Sequence, residues 1–126
     1  MIFLRGIPLH FRKIQYDDIK MSYYNLMSLL SDNNINLINT ISHDELSNKI
    51  NNDHIIFVII NLNTNCIVGT ATIKVLNKQT KYNVCIIKEI LINNDYEINN
   101  KLYDNFLNYL IEYSLHTEYC VKYIVK

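Results

Sequence analysis

Apolar residues recur with the spacing of strands in five segments of the chain. Residues 11–16 alternate between polar and apolar positions, which predicts a half-buried first strand. Residues 55–60 and 84–92 are almost continuously apolar, as in strands buried on both faces. Because residues 84–92 are the most apolar segment, we expect them at the centre of the sheet. Residues 119–125 predict the last strand, and residues 66–76 predict a partly alternating one through Val68, Ala71, Ile73 and Val75.

Apolar residues at helical spacing predict three helices. The first follows Asp17 and Asp18, which suit the N-cap and first turn of a helix. The second follows Ser42, which caps the helix while Glu45 reaches back to it in a capping box. The third covers residues 102–113 and is amphipathic, with the apolar residues Leu102, Phe106, Leu107, Leu110 and Ile111 on one side.

The predicted element order is β-α-α-β-β-β-α-β, in one domain that spans residues 1–126. Short polar turns join the three middle strands, which predicts antiparallel hairpins. The third helix separates the last two strands and predicts a crossover connection between them. The fold class is therefore α+β, with a mixed, mostly antiparallel sheet flanked by helices.

The charge balance argues against nucleic-acid binding. Twelve Lys and Arg residues offset twelve Asp and Glu residues, so the chain lacks the positive field that non-specific binding requires. No apolar run approaches the roughly 20 residues of a membrane-spanning helix, and the first residues lack the pattern of a secretory signal. Cys66, Cys85 and Cys120 are odd in number and far apart, so we interpret them as reduced thiols of a cytoplasmic protein.

Several potentially reactive residues have simpler structural interpretations. We expect no metal site, because the four histidines have no ligand spacing with one another or with the cysteines. Cys85 and Cys120 lie in apolar strands and are interpreted as small buried residues. Five tyrosines near the C-terminal end lack basic partners, so we assign them to the core and a helix face: Tyr103, Tyr109, Tyr113, Tyr119 and Tyr123.

Two neighbouring segments carry a resemblance to a known family. Residues 68–73 (VGTATI) and 86–92 (IIKEILI) are similar to a strand pair of the glucosamine 6-phosphate N-acetyltransferases, in which a GTAT-type strand leads into a strand with a Glu-Asp pair. Residues 37–46 and 119–125 resemble other segments of that family, which belongs to the GNAT superfamily. The resemblance implies a GNAT-like fold and transfer of acetyl from acetyl-CoA to the amine of glucosamine 6-phosphate, a step of UDP-N-acetylglucosamine biosynthesis.

The resemblance also implies where ligands bind. Lys88 and Glu89 take the place of the family's Glu-Asp pair beside the amino sugar, although a charged pair on an exposed strand edge explains them equally well. The pantetheine arm of acetyl-CoA would lie on the backbone of the next three residues, Ile90, Leu91 and Ile92. The pyrophosphate would lie at the start of the long helix, on Asn99, Asn100, Lys101 and Leu102. No catalytic side chain is identified.

Two features depart from the family pattern. The pyrophosphate loop of GNAT enzymes contains glycines, whereas residues 97–102 (EINNKL) contain none, and the carboxylate of Glu97 would repel a pyrophosphate. The family also continues after its corresponding strand with a helix that carries a Tyr general acid, and with further strands. We therefore expect a domain that is incomplete at its C-terminal end, with weak CoA binding and little or no turnover by residues 1–126 alone.

The alternative to an enzyme is a non-catalytic GNAT-like module that serves interaction or dimerisation. A homodimer is therefore considered as a partner beside the small amino-sugar phosphate. The segment 97–102 discriminates between the two interpretations. Retained phosphate binding would support the enzyme, and its loss would support the module. Within the enzyme class, a different acyl acceptor is a third possibility.

Overall fold

The computed structural model describes residues 2–15, 54–76, 83–97, 101–118 and 120–126. Its strands are β1 (Ile2–Leu4), β2 (Ile7–Lys13), β3 (His54–Asn61), β4 (Cys66–Leu76), β5 (Asn83–Ile92) and β6 (Cys120–Val125). A short 3-10 turn (Asn94–Tyr96) and the helix α1 (Lys101–His116) lie between β5 and β6. The predicted helices after Asp18 and after Ser42 lie outside the described residues.

The described strands form one sheet in which spatial order follows chain order from β1 to β6. Each neighbouring pair is antiparallel except β5 and β6, which run parallel. A parallel pair requires a crossover connection, and α1 supplies it. The structure thus confirms the mixed, mostly antiparallel sheet and the helical crossover that the sequence predicts.

The N-terminal hairpin differs from the prediction of a single strand at residues 11–16. The chain enters the sheet earlier, because β1 and β2 pair through a two-residue loop, with Leu4 opposite Ile7. Arg5 and Gly6 both have positive φ angles, 50° and 79°, as a type I′ hairpin turn requires. Arg at the first of these positions is an unusual choice, so the sequence gives only a weak signal for this turn.

Residues 84–92 do not form the central strand of the sheet, which corrects their predicted position. Strand β5 lies next to the edge strand β6, and only Cys85 and Ile87 of its residues are buried. The inner strands β3 and β4 are instead buried along most of their length. Strand β4 contains Gly and Thr, which lower its apolar content, although Thr70 and Thr72 are both buried.

One face of the sheet packs against α1. The fully buried residues of α1 include Leu102, Phe106 and Leu110, as its amphipathic pattern predicts. The four apolar residues predicted for β4 belong to the same hydrophobic cluster as these helix residues: Val68, Ala71, Ile73 and Val75. Aromatic rings complete the contact, since Phe57 on β3 meets the ring of Tyr113 at 4.7 Å between centroids.

Tyr109 and Tyr113 of α1 pack against this core, as predicted, whereas Tyr103 is not part of it. Tyr123 on β6 is 41% exposed, which corrects its assignment to the core, and Tyr119 lies outside the described residues.

The Tyr113 hydroxyl donates a hydrogen bond to Oε1 of Glu118 at 3.1 Å, and Lys13 Nζ lies 5.0 Å from the centre of the Tyr113 ring. Burial, followed by the bond with Glu118, raises the pKa of Tyr113 above its ordinary value. Burial also raises the pKa of Tyr109, although the charge of Lys13 opposes the rise. Both phenols therefore stay protonated at neutral pH.

Two cysteines lie on neighbouring strands and are joined. Cys85 on β5 and Cys120 at the start of β6 form a disulfide bond, with their Cα atoms 6.1 Å apart. The prediction of reduced thiols is wrong for this pair, and the cysteine count no longer supports an intracellular location. The crossover through α1 brings together residues that are 35 positions apart in sequence. Both are buried as predicted, whereas Cys66 is free and exposed.

We expect Gly69→Ala to lower the free energy of unfolding by about 1–3 kcal/mol. A Cβ atom at Gly69 would lie 2.6 Å from Cδ1 and 3.1 Å from Cγ1 of Ile59. Ile59 is the cross-strand partner of Gly69 and is fully buried, so it has little room to move aside. Urea unfolding measures the loss.

The control for this clash is the same substitution in an Ile59→Val background. Valine lacks the Cδ1 atom that the new Cβ would meet, so Gly69→Ala should cost less there than in the wild-type background. Equal losses of unfolding free energy in the two backgrounds would show that the close approach of Gly69 to Ile59 is not the reason for glycine at this position.

Candidate functional site

A β-bulge interrupts the pairing of β4 with β5 at the GTAT segment. Thr70 lies opposite Leu91, but Thr72 lies opposite Lys88, and the register shifts between them. Two residues of β5, Glu89 and Ile90, therefore share one position opposite Ala71. Glu89 has a φ angle of 56°, the left-handed conformation that glycine usually supplies in a bulge of this kind. A non-glycine residue there has a conformational cost of about 1 kcal/mol.

The bulge changes which face of the sheet each residue of β5 lies on. In a regular strand, side chains on one face recur every second residue. The β5 residues that pack with α1 are Cys85, Ile87, Ile90 and Ile92, and the step of three between Ile87 and Ile90 marks the bulge. The sequence-predicted site residues Ile90 and Ile92 therefore have core side chains. Only their backbone remains for a ligand.

Strand β5 extends past the last residue that pairs with β6. The pairing ends with Ile87 opposite Val125, followed by a bond from the Lys126 N–H to the Ile87 carbonyl at 2.9 Å. On the other side, the Asn93 N–H donates to the Val68 carbonyl at 2.8 Å. Backbone groups of alternate residues face opposite neighbours, so the N–H and C=O of Ile92 face away from β4. An extended ligand could pair with this edge.

Lys88 and Glu89 lie directly after Ile87, where β5 separates from β6. Lys88 is partly buried and Glu89 is exposed. The hydroxyl of Thr72, itself buried, lies 3.2 Å from Oε2 of Glu89 and can donate a hydrogen bond to it. Thr72 lies between Ala71 and Ile73, which face α1, so Thr72 belongs to the opposite face. Of the two predicted substrate residues, Lys88 thus lies beside the bulge and Glu89 within it, and no sequence pattern indicated a role for Thr72.

The turn that leads from β5 to α1 is anchored by hydrogen bonds. The Asn93 side chain accepts a bond from the Asp95 N–H at 3.0 Å. The amide of Asn61, a buried residue at the end of β3, donates to the Tyr96 hydroxyl at 2.9 Å. These contacts fix the path of the chain from the end of β5 towards the helix.

The helix start already carries a carboxylate. Oε1 of Glu97 accepts a hydrogen bond from the Tyr103 backbone N–H at 3.4 Å, and Asp104 is a further acidic residue in the first turn. Acidic groups stabilise a helix N-terminus because its unpaired N–H groups are partly positive. Lys101 is exposed and Leu102 is fully buried, so Leu102 could offer only its backbone. Asn99 and Asn100 lie outside the described residues.

Other kinds of site receive no support from the described part of the chain. No cluster of three or more His, Cys, Asp or Glu side chains in it is arranged to hold a metal ion. None of its helices is long and apolar enough to cross a membrane. The candidate site comprises the edge of β5, the bulge and the start of α1.

Comparisons by sequence and by structure give different results. No family model and no curated protein matches the sequence. Solved structures do match: an acetyltransferase from Trypanosoma brucei is similar at 22% identity and a TM-score of 0.72, over 94% of this chain and 82% of that one. The glucosamine-6-phosphate N-acetyltransferase from Arabidopsis thaliana is similar at 16% identity and a TM-score of 0.68, with the same coverage.

A third similar structure is an aminoglycoside acetyltransferase from an uncultured soil metagenomic sample. Its TM-score is 0.74 at 11% identity, over 95% of this chain and 80% of that one. Another is described as a GNAT family acetyltransferase from Staphylococcus aureus, at 14% identity and a TM-score of 0.68. The shared architecture covers nearly the whole chain, and the chain therefore has the fold of the GNAT acetyltransferases.

Proposed function

We propose that this protein transfers an acetyl group from acetyl-CoA to the primary amine of an amino sugar, with glucosamine 6-phosphate as the acceptor. The observation that carries the proposal is the edge of β5 beyond Ile87, which leaves its pairing with β6 next to the bulge at Glu89. This edge lies where the family resemblance expects acetyl-CoA. The fold similarity to an amino-sugar-phosphate acetyltransferase supports the acceptor.

The acyl donor would bind along the backbone of residues 90–92. The pantetheine arm carries amide groups, which can pair with an exposed strand edge in the manner of an added strand. The pyrophosphate would then lie at the start of α1, near the predicted residues Asn99, Asn100, Lys101 and Leu102. Of these, Lys101 offers a positive charge, while Glu97 opposes an anion at the same helix end.

The acceptor would bind at the bulge. Glu89 is exposed there, and its carboxylate suits an amine as ion-pair partner and proton acceptor. Lys88, the preceding residue, offers a cation for the phosphate of the sugar. The two opposite charges match the two charged groups of glucosamine 6-phosphate. The further placement in UDP-N-acetylglucosamine biosynthesis rests on this acceptor and stays a prediction.

The reaction is a direct acyl transfer. The neutral amine nitrogen attacks the thioester carbonyl carbon, the bond from carbon to sulfur breaks, and the thiolate of CoA leaves. The amine gives up one proton, and the thiolate takes one up. Held in one site, the two substrates gain from orientation, and a backbone N–H of the β5 edge would polarise the thioester carbonyl.

The acceptor is tested by mass-spectrometric detection of the acetylated product. Purified protein is incubated with acetyl-CoA and, separately, glucosamine 6-phosphate, glucosamine and an aminoglycoside. The proposal expects slow, protein-dependent acetylation with preference for glucosamine 6-phosphate over glucosamine. Equal rates with both sugars would refute the role of Lys88. Acetylation of the aminoglycoside alone would show that the acceptor is an aminoglycoside and not glucosamine 6-phosphate. Direct product detection avoids thiol reagents, which would also react with the exposed Cys66.

Glu97→Gln is expected to strengthen CoA binding about fivefold, which corresponds to about 1 kcal/mol at a helix N-terminus. The substitution removes one of the two negative charges at the start of α1, leaving that of Asp104, and keeps the shape of the side chain. Calorimetric titration with CoA measures the change. The matched control is Glu112→Gln, which makes the same charge change at an exposed position near the other end of α1 and should leave the affinity unchanged.

A gain in the control, or none for Glu97→Gln, would place the pyrophosphate elsewhere. Pantetheine, which lacks the pyrophosphate, provides a second comparison. Its affinity should not respond to Glu97→Gln.

The non-catalytic module remains the alternative, and two observations favour it. Glu97 occupies part of the helix end that an anion would need, and β6 exposes large apolar side chains, with Val121 60% and Val125 40% accessible. An exposed apolar edge strand tends to pair with another chain. A protein that binds no CoA and forms a stable dimer in solution would support the module over the enzyme.

A further inference from the structure

The left-handed backbone at Glu89 and the contact of its side chain raise the question of what a glutamate does there that glycine could not. Glycine would adopt a φ angle of 56° without steric cost. Residues retained in such conformations are concentrated at functional sites, where the surrounding structure holds them. One group that holds Glu89 is identifiable, because its Oε2 lies 3.2 Å from the Thr72 hydroxyl.

Thr72 is suited to fix the position of a carboxylate. It is only 4% exposed and lies on β4, between strands on both sides. Its β-branched side chain has restricted rotation about χ1, and burial restricts it further. The hydroxyl therefore occupies a defined place on the face of the sheet opposite α1, directly beside the bulge.

We propose that Thr72 is a positioning residue for the acetyl transfer: its hydroxyl holds the Glu89 carboxylate where the acceptor amine binds. The proposal rests on the proposed function. Thr72 does not contact the reacting atoms itself. It limits the orientations of Glu89, so that the carboxylate is already in place when the amine arrives.

The test compares Thr72→Val with Thr72→Ser. Valine has the shape of threonine without the hydroxyl, so kcat/KM for glucosamine 6-phosphate should fall about tenfold, the worth of one hydrogen bond to a charged group. Serine keeps the hydroxyl and should stay within about twofold of wild type. The KM for acetyl-CoA should not change in either variant. Wild-type kinetics for Thr72→Val, or equal losses in both variants, would overturn the proposal.

Two further measurements separate positioning from a loss of stability. Thr70→Val removes a hydroxyl from an equally buried threonine, 4% exposed, on the same face of β4, and should leave kcat/KM unchanged. In a Glu89→Gln background, Thr72→Val should cause less further loss than it does alone. Full additivity would mean that the two residues act separately.

A spectroscopic readout tests the positioning without any activity. Three-bond scalar couplings about χ1 of Glu89 should report one rotamer in the wild type and in Thr72→Ser, and averaged rotamers in Thr72→Val. If the wild type acetylates no amine but shows this pattern, the proposed function fails while the positioning holds. Averaged couplings in an active wild type would refute the positioning role of Thr72 without contradicting the proposed acetyl transfer.

Discussion

Glu89→Gln is expected to lower kcat/KM for glucosamine 6-phosphate by about a hundredfold or more, the usual contribution of a side chain that takes part in proton transfer. Glutamine keeps the size of the side chain and can still accept the bond from Thr72. It loses the charge that attracts the amine and the capacity to take its proton. Initial rates of product formation over a range of sugar concentrations measure the effect.

Two variants control for charge and for backbone strain. Glu112→Gln changes the net charge equally at an exposed position of α1 and should keep wild-type rates. Glu89→Gly should lose activity as Glu89→Gln does. Glycine tolerates the φ angle of this position, a gain of about 1 kcal/mol, but the variant also loses the hydrogen bond with Thr72, so we expect its stability to stay within about 1 kcal/mol of the wild type. Retained activity in either Glu89 variant would contradict the role of the carboxylate.

Loss of the disulfide bond should have the largest effect on stability. The double substitution of Cys85 and Cys120 by alanine is expected to lower the free energy of unfolding by about 3–4 kcal/mol. This figure follows from the chain-entropy model for cysteines 35 residues apart. Urea unfolding of the wild type and of the variant, each with and without reductant, measures the loss.

Reductant provides the internal control for this experiment. It should lower the free energy of unfolding of the wild type to about the value of the double variant. It should leave the free energy of unfolding of the double variant unchanged. Cys66→Ala removes the exposed free cysteine and should behave as the wild type in both conditions. A wild type that is insensitive to reductant would show that the bond does not contribute to stability in solution.

Most of the described fold follows from local sequence signals. Strand β4 begins and ends at the predicted residues, Cys66 and Leu76, because its apolar residues alternate between turns that are clearly polar. Helix α1 was predicted from its apolar stripe and extends somewhat further at its C-terminal end. The first hairpin was missed because β1 has only three residues. Its exposed residue, Phe3, is apolar like its neighbours, so the segment shows no alternation of polar and apolar residues.

Features that depend on the pairing of distant segments were not predictable in the same way. The order of strands decides burial, so the inner strands β3 and β4 are more buried than β5, although β5 is also rich in apolar residues. The bond between Cys85 and Cys120 depends on a parallel pairing that spacing along the chain does not reveal. The bulge at Glu89 has no local signal, since a glutamate stands where a glycine would have indicated it.

The candidate site was predicted through family resemblance rather than through a chemical motif. The resemblance implies a site at residues 88–92, and the structure places a bulge and the end of the β5–β6 pairing in this segment. Thr72 lies inside the GTAT segment, but its contact with Glu89 depends on the register shift between β4 and β5. The available sequence signal was a threonine between the predicted core residues Ala71 and Ile73.

An NMR titration of the protein with acetyl-CoA, followed through backbone amide shifts, tests the proposed acyl-CoA site most directly. We expect weak but saturable shifts at Ile90, Leu91 and Ile92 and at the start of α1, and none in the β1–β2 hairpin at the far edge of the sheet. Pantetheine should reproduce the shifts on β5 and not those at α1. No saturable shift on β5 would contradict the proposed acyl-CoA site, and with it the proposed acetyl transfer.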